Sequence, residues 1–81
     1  MLMLLGGADD WTPARPCEAW AARAPMVART TFAGAHHGFD RLQGGLRQQH
    51  LPDGRTVTFG ADGAARAESR RMVMDFLAGL P

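Results

Sequence analysis

The sequence predicts an α/β fold with two parallel strands and flanking helices, in the order strand, helix, strand, loop, helix. Three observations predict it: a continuous apolar run at the start, a β-branched run around Thr30, and two stretches with apolar residues at helical spacing. A strand, a helix and a second strand over this length form a right-handed crossover, which pairs the two strands in parallel.

The first strand is predicted from Met1 to Leu5, an unbroken apolar run that ends at the glycine pair Gly6 and Gly7. A run without alternation is typical of a strand that is buried on both faces. Two parallel strands and two helices cannot cover both faces of such a strand. We therefore expect residues 1–81 to form a single partial domain, the C-terminal portion of a larger α/β domain whose N-terminal portion is absent.

The first helix is predicted to have Pro16 in its first turn and to stop at Pro25. The spacing i, i+3, i+4 and i+7 gives it one modest apolar face, formed by Cys17, Trp20, Ala21 and Ala24. The second strand is predicted from Met26 to Phe32, because this segment is rich in β-branched and aromatic residues.

The region from Leu42 to Gly60 is predicted to be irregular, with a short hairpin around its Pro-Asp-Gly turn. The last helix is predicted to start at the N-cap Asp62 and to end at Gly79. Its apolar stripe consists of Ala65, Ser69, Met72, Val73, Phe76, Leu77 and Leu80, with Arg66, Arg70 and Asp75 on the other face.

Composition excludes several classes of protein. The chain is 46% apolar and 21% charged, as in ordinary globular proteins, but much of the apolar share is alanine, so the core should be thin. The nine arginines are scattered and the net charge is +1, which argues against a nucleic-acid partner. A single cysteine excludes an internal disulfide, and the apolar start is too short for a membrane span or a secretory signal. We expect a cytoplasmic protein with no membrane partner.

Candidate catalytic side chains follow both predicted strands. Asp9 and Asp10 come after the first strand, and His36 and His37 come after the second. The carboxyl ends of parallel strands meet at one edge of a sheet, so these loops should be neighbours. A carboxylate that orients an imidazole base makes two thirds of a nucleophilic triad. The alternatives are that the aspartates form a turn or a cap and that the histidines are solvated.

Two motifs in these loops carry a family resemblance. The pattern G-G-x-D-x-x-x-P begins at Gly6, and A-x-H-G-F begins at Ala35, so that His37 lies 28 residues after Asp9. In this order and at this distance, followed by a C-terminal amphipathic helix, the chain resembles the last part of the dienelactone hydrolase family, which belongs to the α/β-hydrolases.

The resemblance implies a role for three residues. Asp9 matches the triad acid, His37 matches the triad base, and Arg41 matches an arginine that binds the substrate carboxylate. The implied reaction is hydrolysis of a small carboxylic ester or lactone through an acyl-enzyme, without a metal or another cofactor.

The nucleophile of such a triad is missing from the sequence. In α/β-hydrolases it precedes the acid, on a sharp turn between strand and helix, but only eight residues precede Asp9. Ser69 lies in the predicted last helix, and Cys17 is expected to be a small buried apolar residue. We therefore expect the chain to be inactive alone, with the missing N-terminal part of its own domain or a companion chain as its partner.

Two other functions are compatible with the sequence. An accessory protein would dock its exposed first strand onto the sheet of a partner. A metal-binding module would use histidine and aspartate ligands from His36, His37, Asp40 and His50.

Overall fold

A computed structural model describes all residues from 1 to 81, and it shows a mixed α/β chain with two helices and two small sheets. In chain order the elements are β1 (Leu2–Gly6), α1 (Ala14–Ala22), β2 (Ala28–Phe32), β3 (Arg47–His50), β4 (Thr56–Phe59) and α2 (Gly63–Ala78).

The first sheet consists of β1 and β2, which pair in parallel with α1 as the crossover between them. The register runs from Leu2 opposite Ala28 to Gly6 opposite Phe32. The predicted pair of parallel strands is thus confirmed. β1 has no second neighbour, so one of its edges is unpaired. The four residues before its final glycine are all apolar, whereas β2 contains arginine and threonine, as edge strands usually do.

The buried face of α1 differs from the predicted one. Ala14 and Ala21 are buried, whereas Cys17 is exposed and Trp20 is 47% exposed. The helix packs against β2, in a sheet of only two strands, and this narrow surface covers only the strip of the helix that contains the two alanines. The expectation that Cys17 is a buried core residue is therefore wrong.

The short hairpin predicted between Leu42 and Gly60 is confirmed, and its strands are antiparallel. β3 pairs with β4 from Arg47 opposite Phe59 to His50 opposite Thr56. The connecting turn contains Gly54, whose φ of 90° lies in the left-handed region that favours glycine. The base of the hairpin lies at the carboxyl ends of β1 and β2, which makes it part of the surroundings of the candidate site.

α2 begins and ends where the sequence predicts. The side chain of Asp62 accepts a hydrogen bond from the amide of Ala65 at 3.0 Å, and Gly79 follows the last turn. Burial along the helix is uneven. Ala65 and Ser69 are buried, Met72 and Phe76 are half-buried, and the other residues of the predicted apolar stripe, Val73, Leu77 and Leu80, are exposed.

The core is small and consists mainly of alanine. The buried apolar residues come from both helices, the hairpin and the loop after β2, and they are Ala14, Ala21, Ala35, Val57 and Ala65. Val57 is the largest of them, which agrees with the thin core expected from composition. Neither helix combines the length and the apolar character that crossing a membrane requires.

Candidate active site

The loops after β1 and β2 are in backbone contact, and this contact positions the candidate site. The amide of Gly7 donates to the carbonyl of Phe32 at 2.8 Å, and the amide of Ala8 donates to the carbonyl of Ala35 at 2.9 Å. A Cβ atom on Gly6 would lie only 2.7 Å from the carbonyl oxygen of Ala35. Glycine is therefore needed at this position for the two loops to approach each other.

The Asp9 carboxylate is clamped by donors from its own loop. Oδ1 accepts hydrogen bonds from the amides of Trp11 at 2.9 Å and Thr12 at 2.8 Å, and Oδ2 accepts one from the Thr12 hydroxyl at 2.9 Å. The Asp9 side chain is only 11% exposed. An aspartate that accepts from the amides two and three residues on forms an Asx turn, so the local sequence itself fixes the carboxylate.

Two opposing effects act on the pKa of Asp9. Burial disfavours the charged form and raises the pKa, but the hydrogen bonds from Thr12, Trp11 and His37 outweigh it, so that the pKa lies below its ordinary value. The carboxylate is thus ionised at neutral pH. This is the state that an orienting triad acid requires.

His37 meets this carboxylate from the loop after β2. Its Nδ1 lies 3.1 Å from Oδ2 of Asp9 and 3.1 Å from the Thr12 hydroxyl oxygen. The ring packs against Trp11 with a centroid distance of 4.9 Å, and the side chain remains 40% exposed. With Nδ1 directed at Asp9, Nε2 is the ring nitrogen left without a hydrogen bond to the protein.

The hairpin and the turn after His37 hold the histidine backbone. The amide of Gly60 donates to the His37 carbonyl at 2.9 Å, directly after β4. Gly38 has a φ of 75°, and the chain then turns so that the Phe39 ring packs against Phe32 at a centroid distance of 5.5 Å. The position of His37 therefore depends on the hairpin as well as on β2.

The neighbours of the two candidate residues have different contacts. Asp10 is exposed, and its Oδ1 accepts a hydrogen bond from the amide of Thr58 in β4 at 2.9 Å. The side chain of His36 makes no hydrogen bond to Asp9, so only one residue of each pair joins the contact.

Arg41 is exposed, and its guanidinium carbon lies 5.5 Å from the centroid of the Phe59 ring. No carboxylate pairs with it. The structure thus brings Asp9 and His37 together and sets Arg41 on an aromatic ring beside them.

A cavity of about 720 Å³ adjoins Asp9 and His37. The consecutive residues Leu4 and Leu5 both line it, and their side chains point to opposite faces of the sheet. The cavity therefore runs around the unpaired edge of β1. Its other walls include Arg66 and Val73 of α2, so Arg66 does not lie on an outward face of that helix as the sequence predicted.

No serine or cysteine forms a hydrogen bond with the His37 side chain. Ser69 is buried in α2, and its hydroxyl donates to the carbonyl of Arg66 at 2.9 Å. Cys17 lines the cavity from α1, but it makes no hydrogen bond with the histidine. The described site thus contains an acid and a base without a nucleophile in place.

The residues considered for a metal do not converge. His37 binds Asp9, His50 Nδ1 contacts the Thr56 hydroxyl at 2.9 Å in the hairpin, and no three histidine, cysteine, aspartate or glutamate side chains are grouped to hold an ion. The arrangement of His36, His37, Asp40 and His50 therefore gives no support to the metal-binding alternative.

Sequence reasoning missed Thr12 and the aromatic pair Trp11 and Phe59. The Trp11 ring packs on His37, and the Phe59 ring packs on Trp11 with a centroid distance of 6.1 Å. The aspartate itself indicated a turn, because its side chain favours a bond to the amide two residues on, but this pattern does not indicate the contact of the Thr12 hydroxyl with His37.

Comparisons with family models, curated proteins and solved structures found no match to this chain.

Proposed function

We propose that Asp9 and His37 are the acid and the base of a carboxylic ester or lactone hydrolase similar to the dienelactone hydrolases. The observation that carries the proposal is the 3.1 Å contact between Oδ2 of Asp9 and Nδ1 of His37. The ionised carboxylate and the unbonded Nε2 support it, because a triad needs one ring nitrogen oriented and the other free to move a proton.

In the proposed reaction, Nε2 of His37 removes the proton of a hydroxyl or thiol as that group attacks the ester carbonyl. The imidazolium then gives this proton to the departing alkoxide, which leaves an acyl-enzyme. His37 next removes a proton from water as the water attacks the acyl group, and the imidazolium returns this proton to the nucleophile as the bond to the acyl group breaks and the acid is released. Throughout, Asp9 holds the ring in place and stabilises its positive charge.

The nucleophile in this proposal comes from outside residues 1–81, either from a preceding part of the same domain or from a companion chain. Ser69 is buried and hydrogen-bonded to the backbone of its own helix, and Cys17 makes no hydrogen bond with His37. We accordingly expect no esterase activity from the 81-residue chain.

The resemblance also assigns Arg41 to the carboxylate of the substrate. Its guanidinium is exposed, has no acidic partner and lies four residues after His37. A guanidinium can bind a carboxylate through two parallel hydrogen bonds. The proposed substrate is thus a small ester or lactone, cleaved in the cytoplasm without a metal or another cofactor.

The test begins with the DNA upstream of the Met1 codon, where the proposal expects a reading frame with G-x-[SC]-x-G after an apolar strand. The chain extended by that segment, or mixed with it, is assayed with p-nitrophenyl acetate. Asp9→Asn and His37→Gln should each lower kcat by about 10³-fold to 10⁴-fold. The matched control is His36→Gln, which should change kcat by less than about threefold.

Two results would contradict the proposal. One is an active extended enzyme in which His37→Gln retains full activity. The other is turnover by the 81-residue chain alone that His37→Ala abolishes, because this would place the nucleophile within residues 1–81.

A second candidate function is an accessory protein that docks β1 onto the sheet of a partner. It is favoured by the contrast between β1, which is apolar with one unpaired edge, and β2, which is polar. An apolar open edge pairs readily with an added strand.

Size-exclusion chromatography with light scattering tests this docking. Leu4→Lys places a charge on β1 and should prevent the chain from associating with a partner sheet. Thr30→Lys, at the paired position of β2, should leave this association unchanged. A wild-type chain that is a well-folded monomer and captures no partner strand would exclude the docking function.

A further inference from the structure

Three polar atoms form a closed triangle between Asp9, Thr12 and His37. The Thr12 hydroxyl oxygen lies 2.9 Å from Oδ2 of Asp9 and 3.1 Å from Nδ1 of His37, and Nδ1 lies 3.1 Å from the same Oδ2. Each contact needs a proton between its two atoms, although a single N–H proton can be shared between two acceptors. The ionised carboxylate has no proton to give, so the other two groups must supply all of them.

Only one arrangement of protons satisfies the triangle. The Thr12 hydroxyl donates to Asp9, and the Nδ1–H of His37 is shared between the carboxylate and the hydroxyl oxygen. If the hydroxyl donated to an unprotonated Nδ1, the carboxylate oxygen would face two lone pairs at 2.9 and 3.1 Å, which is repulsive.

We infer that Thr12 is a positioning residue that selects the Nδ1–H tautomer of His37 and thereby leaves Nε2 as the basic nitrogen. The value of that tautomer for catalysis rests on the proposed hydrolase function. The tautomer itself is a property of the 81-residue chain and is measurable without substrate.

Asp9 alone is not sufficient for this selection. The His37 side chain is 40% exposed, so water competes for the free lone pairs of Oδ2. Thr12 supplies the hydroxyl bond to Oδ2 and the shorter of the two amide bonds to Oδ1. Without the hydroxyl, the two amides still hold Oδ1, but Oδ2 loses one of its two hydrogen bonds, water takes its place, and the bond to Nδ1 weakens.

The experiment is a long-range ¹H–¹⁵N correlation spectrum of the full chain, recorded at a pH where the imidazole is neutral. Ring nitrogens with and without a proton have well-separated ¹⁵N shifts. Thr12→Val removes the hydroxyl at nearly constant volume, and Thr12→Ser retains it. The matched control is Thr58→Val, because the Thr58 side chain makes no hydrogen bond and only its amide binds Asp10.

We expect Nδ1 of His37 to be protonated and Nε2 to be unprotonated in three proteins, which are the wild type and the variants Thr12→Ser and Thr58→Val. In Thr12→Val the separation between the two shifts should shrink, because the second tautomer becomes populated. A wild type protonated at Nε2, or a Thr12→Val chain with the wild-type separation, would overturn the inference. Thr12→Ala provides the same test if the valine variant does not fold.

Failure of this inference is distinguishable from failure of the hydrolase proposal. If the tautomer responds to Thr12 but the extended chain cleaves no ester, the proposed function fails and the positioning role stands. If ester cleavage depends on His37 but the tautomer is unchanged in Thr12→Val, only the positioning role fails.

Discussion

The amide of Thr58 donates a 2.9 Å hydrogen bond to the carboxylate of Asp10, across 48 residues of sequence. This bond ties the hairpin to the loop after β1. It also separates the roles of two adjacent aspartates, because Asp9 turns inward to His37 while Asp10 holds β4. The same strand is followed by Gly60, whose amide binds the His37 carbonyl, so the hairpin supports both sides of the candidate site.

Removing the Asp10 carboxylate should loosen the hairpin. Asp10→Ala is expected to lower the free energy of unfolding by about 1 kcal/mol, because a charge-assisted hydrogen bond to a backbone amide is lost at an exposed position. Asp10→Asn keeps an oxygen acceptor and should cost less. Urea denaturation followed by tryptophan fluorescence measures the change. Asp40→Ala, an exposed aspartate without a side-chain partner, is the control, and an equal loss in both alanine variants would contradict the anchoring role.

Adding one methyl group at Gly6 should disrupt the site. The new Cβ would lie 2.7 Å from a backbone oxygen of Ala35, which cannot move without shifting the loop that contains His37. Gly6→Ala is therefore expected to cost about 2 kcal/mol or more in unfolding free energy. Gly34→Ala places its methyl in open space and should change stability by less than about 0.5 kcal/mol. Equal stability of the two variants would show that the loops tolerate a wider separation.

The bounds of the two parallel strands could be predicted to within a few residues, because strands in a sheet favour apolar and β-branched side chains. Leu2 to Leu5 is apolar on both faces, and Thr30 and Thr31 are β-branched. β3 gave no such signal, since all four of its residues are polar and exposed. The bounds of β3 therefore follow from its pairing with β4, whereas the run from Thr56 to Phe59 that forms β4 is visible in the sequence.

The candidate site could be predicted in part, because it lies in the loops that follow the two predicted parallel strands. Asp9 and His37 occupy the ends of two recognisable strands, so topology alone brings their loops together. Cys17 was misassigned because helical spacing defines a face without defining what covers it, and the two-stranded sheet covers only the alanines. Trp11 was missed because its packing on His37 is a tertiary contact within a loop that has no periodic pattern.

Lowering the pH should destabilise the folded chain, in part because the Asp9 carboxylate becomes protonated. Its pKa in the folded chain lies below the ordinary value of 3.8, so around this pH the unfolded chain binds more protons than the folded chain. The contribution of Asp9 is fully present above that ordinary value and is lost as the pH falls through the lower, folded pKa. Asp53 and Glu68 also have lowered pKa values, through bonds from Arg55 and Arg71 respectively.

The difference between wild type and Asp9→Asn isolates Asp9, since both chains retain the other two carboxylates. The urea concentration at the unfolding midpoint should fall as the pH is lowered from about 5 through 3.8 and below, and it should fall less for Asp9→Asn than for the wild type. Identical pH slopes in wild type and Asp9→Asn would mean that the folded chain does not stabilise the Asp9 carboxylate.

Arg41 should contribute to stability through Phe59. Its guanidinium carbon lies 5.5 Å from the ring centroid at an exposed position, where a cation–π contact contributes about 0.5–1 kcal/mol. Arg41→Ala should lower the unfolding free energy by about this amount in wild type and by much less in a Phe59→Leu background. A double-mutant cycle by urea denaturation measures the coupling. A coupling free energy near zero would mean that the Arg41 guanidinium does not interact with the Phe59 ring. It would then interact only with solvent or with a bound anion.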